Sequence, residues 1–240
     1  MTKESITEYP NVYDAIVIGT GISGGWAAKE LCENGLKTLV LDRGRLVKHI
    51  EDYPTMHTDT WDLEHRGIQK EDDLKNQEKQ SRLWGGGLTK PESKHWFVDD
   101  LKHPYNETKR FDWLRGYHVG GRSIMWGRQS YRWSNMDFEA NKKDGHGVDW
   151  PIRYKDIAPW YDKVESFIGV SGKNLGLPQL PDGKLTEPMD LNCVEEDLQQ
   201  KIEKNFDDNR LLTIGRVAHI TTPSHNGRGG CQFRNRRWRI

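Results

Sequence analysis

The hydrophobic pattern near the N-terminal end of the chain changes from the period of a strand to that of a helix and back. Residues 13–18, YDAIVI, form a short apolar run typical of a strand that is buried on both faces. GWAAKELCENG has helical spacing, and Gly35 is placed to end that helix. Residues 37–42, KTLVLD, predict a second strand. The order predicts a β-α-β unit with parallel strands over residues 13–44.

The rest of the chain alternates helical patterns with loops. Helices are predicted near residues 61–80, over 154–168, where apolar side chains recur at helical spacing, and over 193–206, which is amphipathic. Residues 171–190 are rich in Gly, Pro and Asp and predict a linker, and residues 210–221 predict a strand. No repeat of about 20 to 50 residues is present, so a solenoid or propeller is not expected.

A glycine-rich loop directly follows the first predicted strand. Gly19, Gly21 and Gly24 form the pattern GxGxxG between a strand and a helix. In a β-α-β unit the first Gly permits a tight turn, the second lets the backbone approach a pyrophosphate, and the third lets the helix pack close to the strand. A dinucleotide pyrophosphate would then lie at the helix N-terminus, at Ile22 and Ser23. A structural turn without a ligand is the alternative.

The spacing beyond this loop distinguishes between dinucleotides. Asp42 ends the second predicted strand, where a carboxylate accepts hydrogen bonds from the adenosine ribose. GTGISGGWAAKELCENGLKTLVLDRG resembles the extended FAD fingerprint GxGxxGxxxAxxLxxxGxxVxxLE(R)G, matching at Ala28, Leu31, Gly35, Leu41 and Gly44. It departs at Thr38, which replaces Val, and at Asp42, which replaces Glu. This resemblance favours FAD over NAD and places Arg43 beside the cofactor.

A second glycine-rich loop, RGYHVGGRSIMWG, begins at residue 115. FAD is longer than one β-α-β unit can hold, so other loops must bind its ring and ribityl arm. A Gly-Gly pair followed by a hydroxyl residue presents backbone N–H groups to phosphate or flavin polar atoms. We therefore predict flavin contacts from this loop and from the preceding loop SRLWGGG, at Gly120, Gly121, Ser123, Met125, Trp126, Trp84 and Gly85.

These segments resemble the glucose–methanol–choline oxidoreductase family. RGYHVGGRSIMWG resembles its Gly-Gly-x-Ser flavin segment, and SRLWGGG resembles the Trp/Gly loop before it. DWPIRYKDIAPWYDKVESFIGVSG is similar to the WPIxYxDLxPYYxxAExxxGVxG stretch of the sugar-dehydrogenase branch. The resemblance covers residues 13–231. It implies FAD-dependent oxidation of a CH–OH group of a sugar or glycoside substrate, with hydride passing to the flavin.

The resemblance also implies a fold class and a division of the chain. The expected fold is α/β, with a Rossmann-like FAD-binding core built on the β-α-β unit at 13–44. Residues 1–135 are expected to form the FAD-binding region, with flavin loops at 81–90 and 115–130. Residues 136–240 are expected to begin a second, α+β substrate or cap region. Family members are longer, so we expect the C-terminal half of the fold, with its catalytic base, to be missing.

Two positions bear on the chemistry. Family members often carry a His that bonds covalently to the flavin where Met125 stands, and Met has no nucleophilic nitrogen. We therefore predict non-covalent FAD. None of the nine histidines matches the family's catalytic pair of His with His or Asn, so the catalytic residues stay unassigned. His118 adjoins the flavin loop, and a structural role is favoured for it over a catalytic one.

Composition and charge exclude several function classes. The 36 Lys and Arg balance the 36 Asp and Glu, so no nucleic-acid partner is expected, and we attribute the basic end RNRRWRI to truncation or a frame shift. The three cysteines are far apart and predict no metal site. The N-terminus shows no export signal, and no apolar run approaches the ~20 residues of a membrane span.

The resemblance implies that the chain is cytoplasmic, or periplasmic through a small partner subunit, with a cytochrome as electron acceptor. Two alternatives remain open. One is a non-catalytic nucleotide-binding fragment or assembly module. The other is an NAD(P)-dependent dehydrogenase, although the Tyr-x-x-x-Lys spacing typical of some such enzymes is absent around Tyr131, Tyr154 and Tyr161.

Overall fold

The computed structural model describes residues 12–55, 58–83, 90–206 and 210–231. The predicted flavin contacts Trp84 and Gly85, and the basic end RNRRWRI, lie outside the described residues. The chain divides into two compact units, Met1–Trp126 (unit 1) and Gly127–Ile240 (unit 2). Their assignment as FAD-binding and substrate regions remains a prediction.

Unit 1 begins with the predicted β-α-β unit. Strands β1 (Ala15–Ile18) and β2 (Thr38–Leu41) pair in parallel, with Val17 opposite Val40, and helix α1 (Ile22–Glu33) connects them. Both strands are shorter than the apolar runs that predicted them. A parallel pair needs a crossover connection, and a 12-residue helix supplies it here.

Glycines set both ends of the connection between the strands. A Cβ at Gly24 would overlap the carbonyl oxygen of Gly19, so α1 lies against β1 more closely than any other residue type permits. At the far end Gly35 has a φ of +82°, and its N–H donates to Cys32 while the next N–H donates to Leu31. This pair of bonds is a Schellman motif, and it confirms the predicted helix end.

The burial of β1 differs from the prediction. We expected a strand buried on both faces, but only one of its faces is covered. Val17 is 8% exposed, whereas Ile16 and Ile18 are 61% and 85% exposed. Because successive side chains alternate between the faces of a strand, the two isoleucines share the open face. The described residues provide one helix and one neighbouring strand for β1, which leaves this face in solvent.

The helix predicted near residues 61–80 is broken into short pieces. Two 3-10 turns, Thr60–Asp62 and Glu64–Gly67, precede helices α2 (Glu71–Asn76) and α3 (Glu78–Ser81). His65 and Arg66 have φ values of 52° and 53°, which a right-handed helix cannot contain. The polar, mixed sequence lacks an apolar stripe strong enough to maintain one long helix.

The interior of unit 1 is built largely from polar groups. Arg115 is 3% exposed, and its Nη2 lies 2.7 Å from Oδ1 of Asp100. The backbone N–H of Arg115 donates to Oε1 of Gln80 at 3.0 Å, and the amide of the fully buried Gln80 donates to the carbonyl oxygen of Val98. Buried polar groups are tolerated when they are paired, so this cluster joins the loop at 98–100 to the segment before the second glycine loop.

Unit 2 contains the two helices that the periodicity predicted. Helices α5 (Tyr154–Ile168) and α6 (Cys193–Phe206) confirm those predictions, and Gly169, with a φ of +77°, ends α5. Helix α4 (Asn135–Asp144) was not predicted. The hairpin of β3 (Ser224–His225) and β4 (Arg228–Gly229) was not predicted either, although its Asn-Gly turn is a strong local signal.

Two loop predictions for unit 2 need correction. Residues 171–190 are not a free linker, because Ser171 donates its N–H to the carbonyl of Val217 at 2.8 Å and Thr186 donates to Val170 at 2.7 Å. Residues 210–221 form isolated bridges at Val217 rather than a continuous strand. Tertiary hydrogen bonds order both segments without the regular pattern that would mark them in the sequence.

A buried ion pair forms the centre of unit 2. The Arg132 guanidinium is 2% exposed, and its Nε donates to Oε1 of Glu165, itself 6% exposed, at 2.8 Å. Burial alone would lower the pKa of Arg132, but hydrogen bonds to Glu165, Asp162 and Tyr154 outweigh it and raise the pKa. The most buried residue of α5 is therefore charged, and its partner on the preceding segment fixes where that helix packs.

None of the helices in the described part of the chain has the length and apolar character needed to cross a membrane. The same residues contain no cluster of three or more His, Cys, Asp or Glu that could hold a metal ion. Cys32, Cys193 and Cys231 are free thiols.

We expect Glu165→Gln to destabilise the protein by about 1.5–3 kcal/mol, because the buried Arg132 loses its buried charged partner and keeps the partly exposed carboxylate of Asp162. The matched control is Asp197→Asn, which removes an exposed partner of Lys201 four residues along α6 and should cost less than about 0.5 kcal/mol. Urea unfolding of both variants measures the difference. Equal effects of the two substitutions would contradict a structural role for the buried pair.

Candidate functional site

The first glycine loop leaves open space at its centre. Gly19 has a φ of +92°, and Gly21 begins α1 in extended conformation with φ −61° and ψ −176°. A Cβ at either position would meet no atom of the described chain within 4 Å. Of the three predicted glycines, only Gly24 is required by packing inside the chain. Gly19 and Gly21 leave room for another molecule to approach the backbone.

The N-terminus of α1 faces this open space without a capping side chain. Among the residues that the structure describes, no side chain accepts a hydrogen bond from the first turn, and the turn contains no acidic residue. The N–H groups of Ile22, Ser23 and Gly24 belong to the first turn, where a helix offers its donors and its positive dipole end. This arrangement suits a phosphate or another anion.

Asp42 is bound to the first glycine loop itself. Its Oδ2 accepts the backbone N–H of Thr20 at 2.8 Å and also the Thr20 hydroxyl, and its Oδ1 accepts the N–H of Gly44 at 2.7 Å. The Thr20 hydroxyl and then the Gly44 N–H lower the pKa of the Asp42 carboxyl. Most of the acceptor capacity of this exposed carboxylate is thus used within the chain, with Oδ1 less occupied than Oδ2.

The second glycine loop lies directly on the first. The N–H of Gly120 donates to the Thr20 hydroxyl at 2.8 Å, and a Cβ at Gly121 would lie 3.4 Å from the Cα of Gly21. The segment after β2 runs beside the second glycine loop, since the N–H of Val119 donates to the carbonyl of Arg45 at 2.8 Å. Two segments that the sequence predicted separately therefore form one surface.

Ser123 makes its hydrogen bond within the second loop. Gly121–Ile124 form a 3-10 turn, and the Ser123 hydroxyl donates to the carbonyl of Gly120. The only proton of the hydroxyl is engaged in this way, so toward a ligand Ser123 can act only as an acceptor. Its predicted contact with the flavin stays a prediction.

An apolar cavity of about 220 Å³ follows the 3-10 turn. Met125 and Trp126, both predicted cofactor contacts, lie in its wall. The full lining consists of Tyr53, Ser93, Trp96, Phe97, Ile124, Met125 and Trp126. Trp96 packs against the Tyr53 ring at 5.1 Å between centroids. A largely aromatic and aliphatic wall of this kind suits a flat, conjugated ring.

Arg43 and His118 each contact an aromatic ring near the second glycine loop. The Arg43 guanidinium stands 3.7 Å from the centre of the Tyr117 ring, where it is engaged in a cation–π contact. His118 is 4% exposed and packs 5.5 Å from the Trp96 ring. Burial, and then the positive charge of Arg45, lower the pKa of His118, so its imidazole is neutral near pH 7. These contacts are those of a packed side chain.

The structure thus brings together most of the predicted site residues that it describes. Gly19, Gly21, Gly24, Asp42, Gly120 and Gly121 surround one junction, and Met125 and Trp126 line the adjacent cavity. Sequence reasoning missed Thr20 and Trp96. The hydroxyl of Thr20 between two glycines was a signal for local hydrogen bonding. Trp96 gave no local signal of its position.

No protein-family model matches the chain. It is 27% identical to the 6'''-hydroxyparomomycin C oxidase of Streptomyces lividus over 67% of this chain and 24% of that protein. It is 28% identical to the 2-methyl-1,2-propanediol dehydrogenase of Mycolicibacterium austroafricanum, over 70% of this chain and 26% of that protein. It is 27% identical to the fructose dehydrogenase large subunit of Gluconobacter japonicus, over 67% of this chain and 28% of that protein.

The chain spans about a quarter of the length of these relatives. Their names are those of oxidases and dehydrogenases, so the region that this chain shares with them is a region of oxidoreductases.

We expect the contribution of Asp42 to stability to disappear in acid. Because its pKa is lower in the folded state, that contribution is present above the unfolded pKa of about 3.9 and is lost as the pH falls through the folded pKa. The difference in melting temperature between wild type and Asp42→Asn should be constant near neutral pH and shrink below about pH 4.

Thermal melts at several pH values from acid to neutral measure this difference. Asp144→Asn, at the exposed end of α4, controls for the loss of one carboxylate. A difference between wild type and Asp42→Asn that does not change with pH would show that the ionised carboxylate is not what holds the loop.

Proposed function

We propose that this chain forms the FAD-binding part of an oxidoreductase of the glucose–methanol–choline type. The observation that supports the proposal most is the contact between the two glycine loops, Gly121 against Gly21 and Gly120 against Thr20. A single dinucleotide loop explains the helix N-terminus but not a second loop placed on it. A cofactor longer than one β-α-β unit gives both loops a role, within the Rossmann-like fold that the parallel strands resemble.

The residues around the junction fit the phosphate end of FAD. The pyrophosphate would lie over Gly21 at the N-terminus of α1, where the space is open and no acidic side chain repels it. The ribose of the adenosine would reach Oδ1 of Asp42, the less occupied oxygen. Arg43 contributes positive charge next to that carboxylate. In this proposal these residues bind and orient the cofactor, and the cofactor itself supplies the redox chemistry.

The apolar cavity fits the other end of the cofactor. When bound, the flavin ring supplies the acceptor for a hydride from an alcohol carbon. Met125, Trp126 and Trp96 would cover the ring and exclude water from it. Because Met125 has a thioether where a covalent flavin link would need a nucleophilic nitrogen, we propose that FAD is held without a covalent bond.

The substrate proposed is an alcohol of a sugar or glycoside. The names of the relatives include fructose and a 1,2-diol, which both contain CH–OH groups. The name of the fructose dehydrogenase relative describes a large subunit, which is consistent with a smaller partner subunit. We propose such a partner for this chain, together with a cytochrome as electron acceptor. We assign no catalytic base to the described residues.

The absorption spectrum of the purified chain tests the cofactor. We expect a flavin spectrum, and we expect acid precipitation to release the flavin into the supernatant, where mass spectrometry identifies it as FAD. Colour that stays in the pellet would contradict the non-covalent assignment. If the protein is colourless, melting with added FAD and with added NAD decides, because a ligand stabilises the state that binds it. Stabilisation by NAD alone would replace the proposal with a nicotinamide-dependent dehydrogenase.

Gly21→Ala tests the position of the pyrophosphate. The added methyl group meets nothing within the described chain, but Gly21 is the N-cap of α1, where Ala is less favourable than Gly, so the apo protein should be destabilised by no more than about 1 kcal/mol. The same methyl would occupy the space assigned to the pyrophosphate, so we expect FAD to bind at least about tenfold more weakly, a loss of about 1.4 kcal/mol. Fluorescence titration with FAD measures the dissociation constant.

Gly25→Ala is the matched control. It lies in the same helix, and its Cβ would meet only the carbonyl oxygen of Thr20 at an ordinary 3.7 Å. It removes a glycine from the helix interior, so it should stabilise the apo protein by up to about 1 kcal/mol and leave FAD affinity unchanged. Equal FAD binding by the two variants would remove Gly21 from the site.

A further inference from the structure

We infer that Thr20 is a positioning residue that holds the second glycine loop on the first through its hydroxyl and thereby sets the affinity for the cofactor. The part of the inference that concerns cofactor affinity rests on the proposed function. The part that concerns the contact between the two loops does not. Thr20 acts through Gly120 rather than through contact with the cofactor. Its place between Gly19 and Gly21 puts the hydroxyl at the contact between the two loops.

The direction of each hydrogen bond at Thr20 follows from the number of protons. The backbone N–H of Gly120 can only donate, and it points at the Thr20 hydroxyl from 2.8 Å. The hydroxyl has a single proton, which it gives to Oδ2 of Asp42. The hydrogen bonds therefore run in one direction, from the Gly120 N–H to the Thr20 hydroxyl and from that hydroxyl to the Asp42 carboxylate. They need a hydroxyl at position 20 and an ionised Asp42.

The contacts around Thr20 join three separate segments. The loop after β1, the end of β2 and the loop at 115–127 meet here. A Cβ at Gly44 would overlap the backbone of His118, and the Cβ position of Gly121 is 3.4 Å from Gly21. These neighbouring contacts are made by backbone atoms, which substitution does not remove. The Thr20 side chain can be changed while they stay in place.

The position of Gly120 affects the apolar cavity. Gly120 has a φ of +93° and immediately precedes the 3-10 turn Gly121–Ile124. The turn is followed directly by Met125 and Trp126, which line the cavity. Ile124 at the end of the turn also lines the cavity, so only three residues separate Gly120 from the cavity wall, and release of Gly120 moves that wall. The Thr20 hydroxyl thus fixes the phosphate end and the ring end of the site relative to each other.

Three substitutions separate the hydroxyl from the shape of the side chain. Thr20→Val keeps the branched shape and removes the hydroxyl. Thr20→Ser keeps the hydroxyl and removes the methyl group. Thr20→Ala removes both the hydroxyl and the methyl group. The same measurements are made on this variant if the valine variant does not fold.

The first measurement uses the protein without added cofactor. Hydrogen exchange at the backbone amide of Gly120 reports directly on its bond to Thr20. We expect exchange at this amide to be at least about tenfold faster in Thr20→Val than in wild type, with Thr20→Ser close to wild type. The amide of Val119, which donates to Arg45, is the internal control and should change less.

The second measurement is the dissociation constant for FAD. The hydrogen bond from Gly120 to Thr20 is partly buried, and we expect its loss to lower the affinity for FAD roughly five- to tenfold in Thr20→Val and less than about twofold in Thr20→Ser. If hydrogen exchange at the Gly120 amide is unchanged in the valine and alanine variants, the inference is overturned, whether or not the affinity for FAD changes. Faster exchange with unchanged FAD affinity would overturn the positioning role and leave the proposed function intact. Wild-type protein that binds no FAD would overturn the proposed function and the cofactor part together, while the exchange data would still decide the loop contact.

Discussion

Two segments of a chain can come into backbone contact only where a side chain does not keep them apart. In the described part of unit 1 such places include Gly24 under Gly19 and Gly44 against the backbone of His118. The first brings α1 close to β1, which fixes the direction of the helix N-terminus. The second brings the segment that carries the second glycine loop against the chain after β2. With Gly121 beside Gly21, these approaches place the second loop at the terminus of α1, where the candidate site lies.

Outside the β-α-β unit, paired polar groups take the role that an apolar core has in most domains. Arg115 with Asp100 in unit 1, and Arg132 with Glu165 in unit 2, are buried and hydrogen-bonded. Such pairs add little net stability over apolar packing, but breaking one is costly, because a buried charge then has no partner. They favour one arrangement of the loops they join over others. That is useful in a chain where much of the structure is loop and only 34% of residues are hydrophobic.

The parts of the fold that sequence could predict are those set by local patterns. The β-α-β unit, α5 and α6 follow from apolar periodicity and from the glycines at their ends, and the Asn-Gly turn of the hairpin held a signal of the same kind that was missed. The burial of β1 was predicted wrongly, because an apolar strand has the same sequence whether or not another layer covers it. The glycines of the site were recognisable by spacing. The bond from Thr20 to Gly120 joins residues a hundred positions apart, and nothing local encodes it.

The open face of β1 has a kinetic consequence. Ile16 and Ile18 lie on one surface of a two-stranded sheet, and Leu41, which pairs with Ile18, is also partly in solvent. A short strand with such a face binds readily to other unfolded segments, including those of a second molecule being synthesised nearby. The contacts of the β-α-β unit are local in sequence, so this unit can form early in folding. Because the described residues leave this face in solvent, its apolar area sets how strongly folding chains associate with one another.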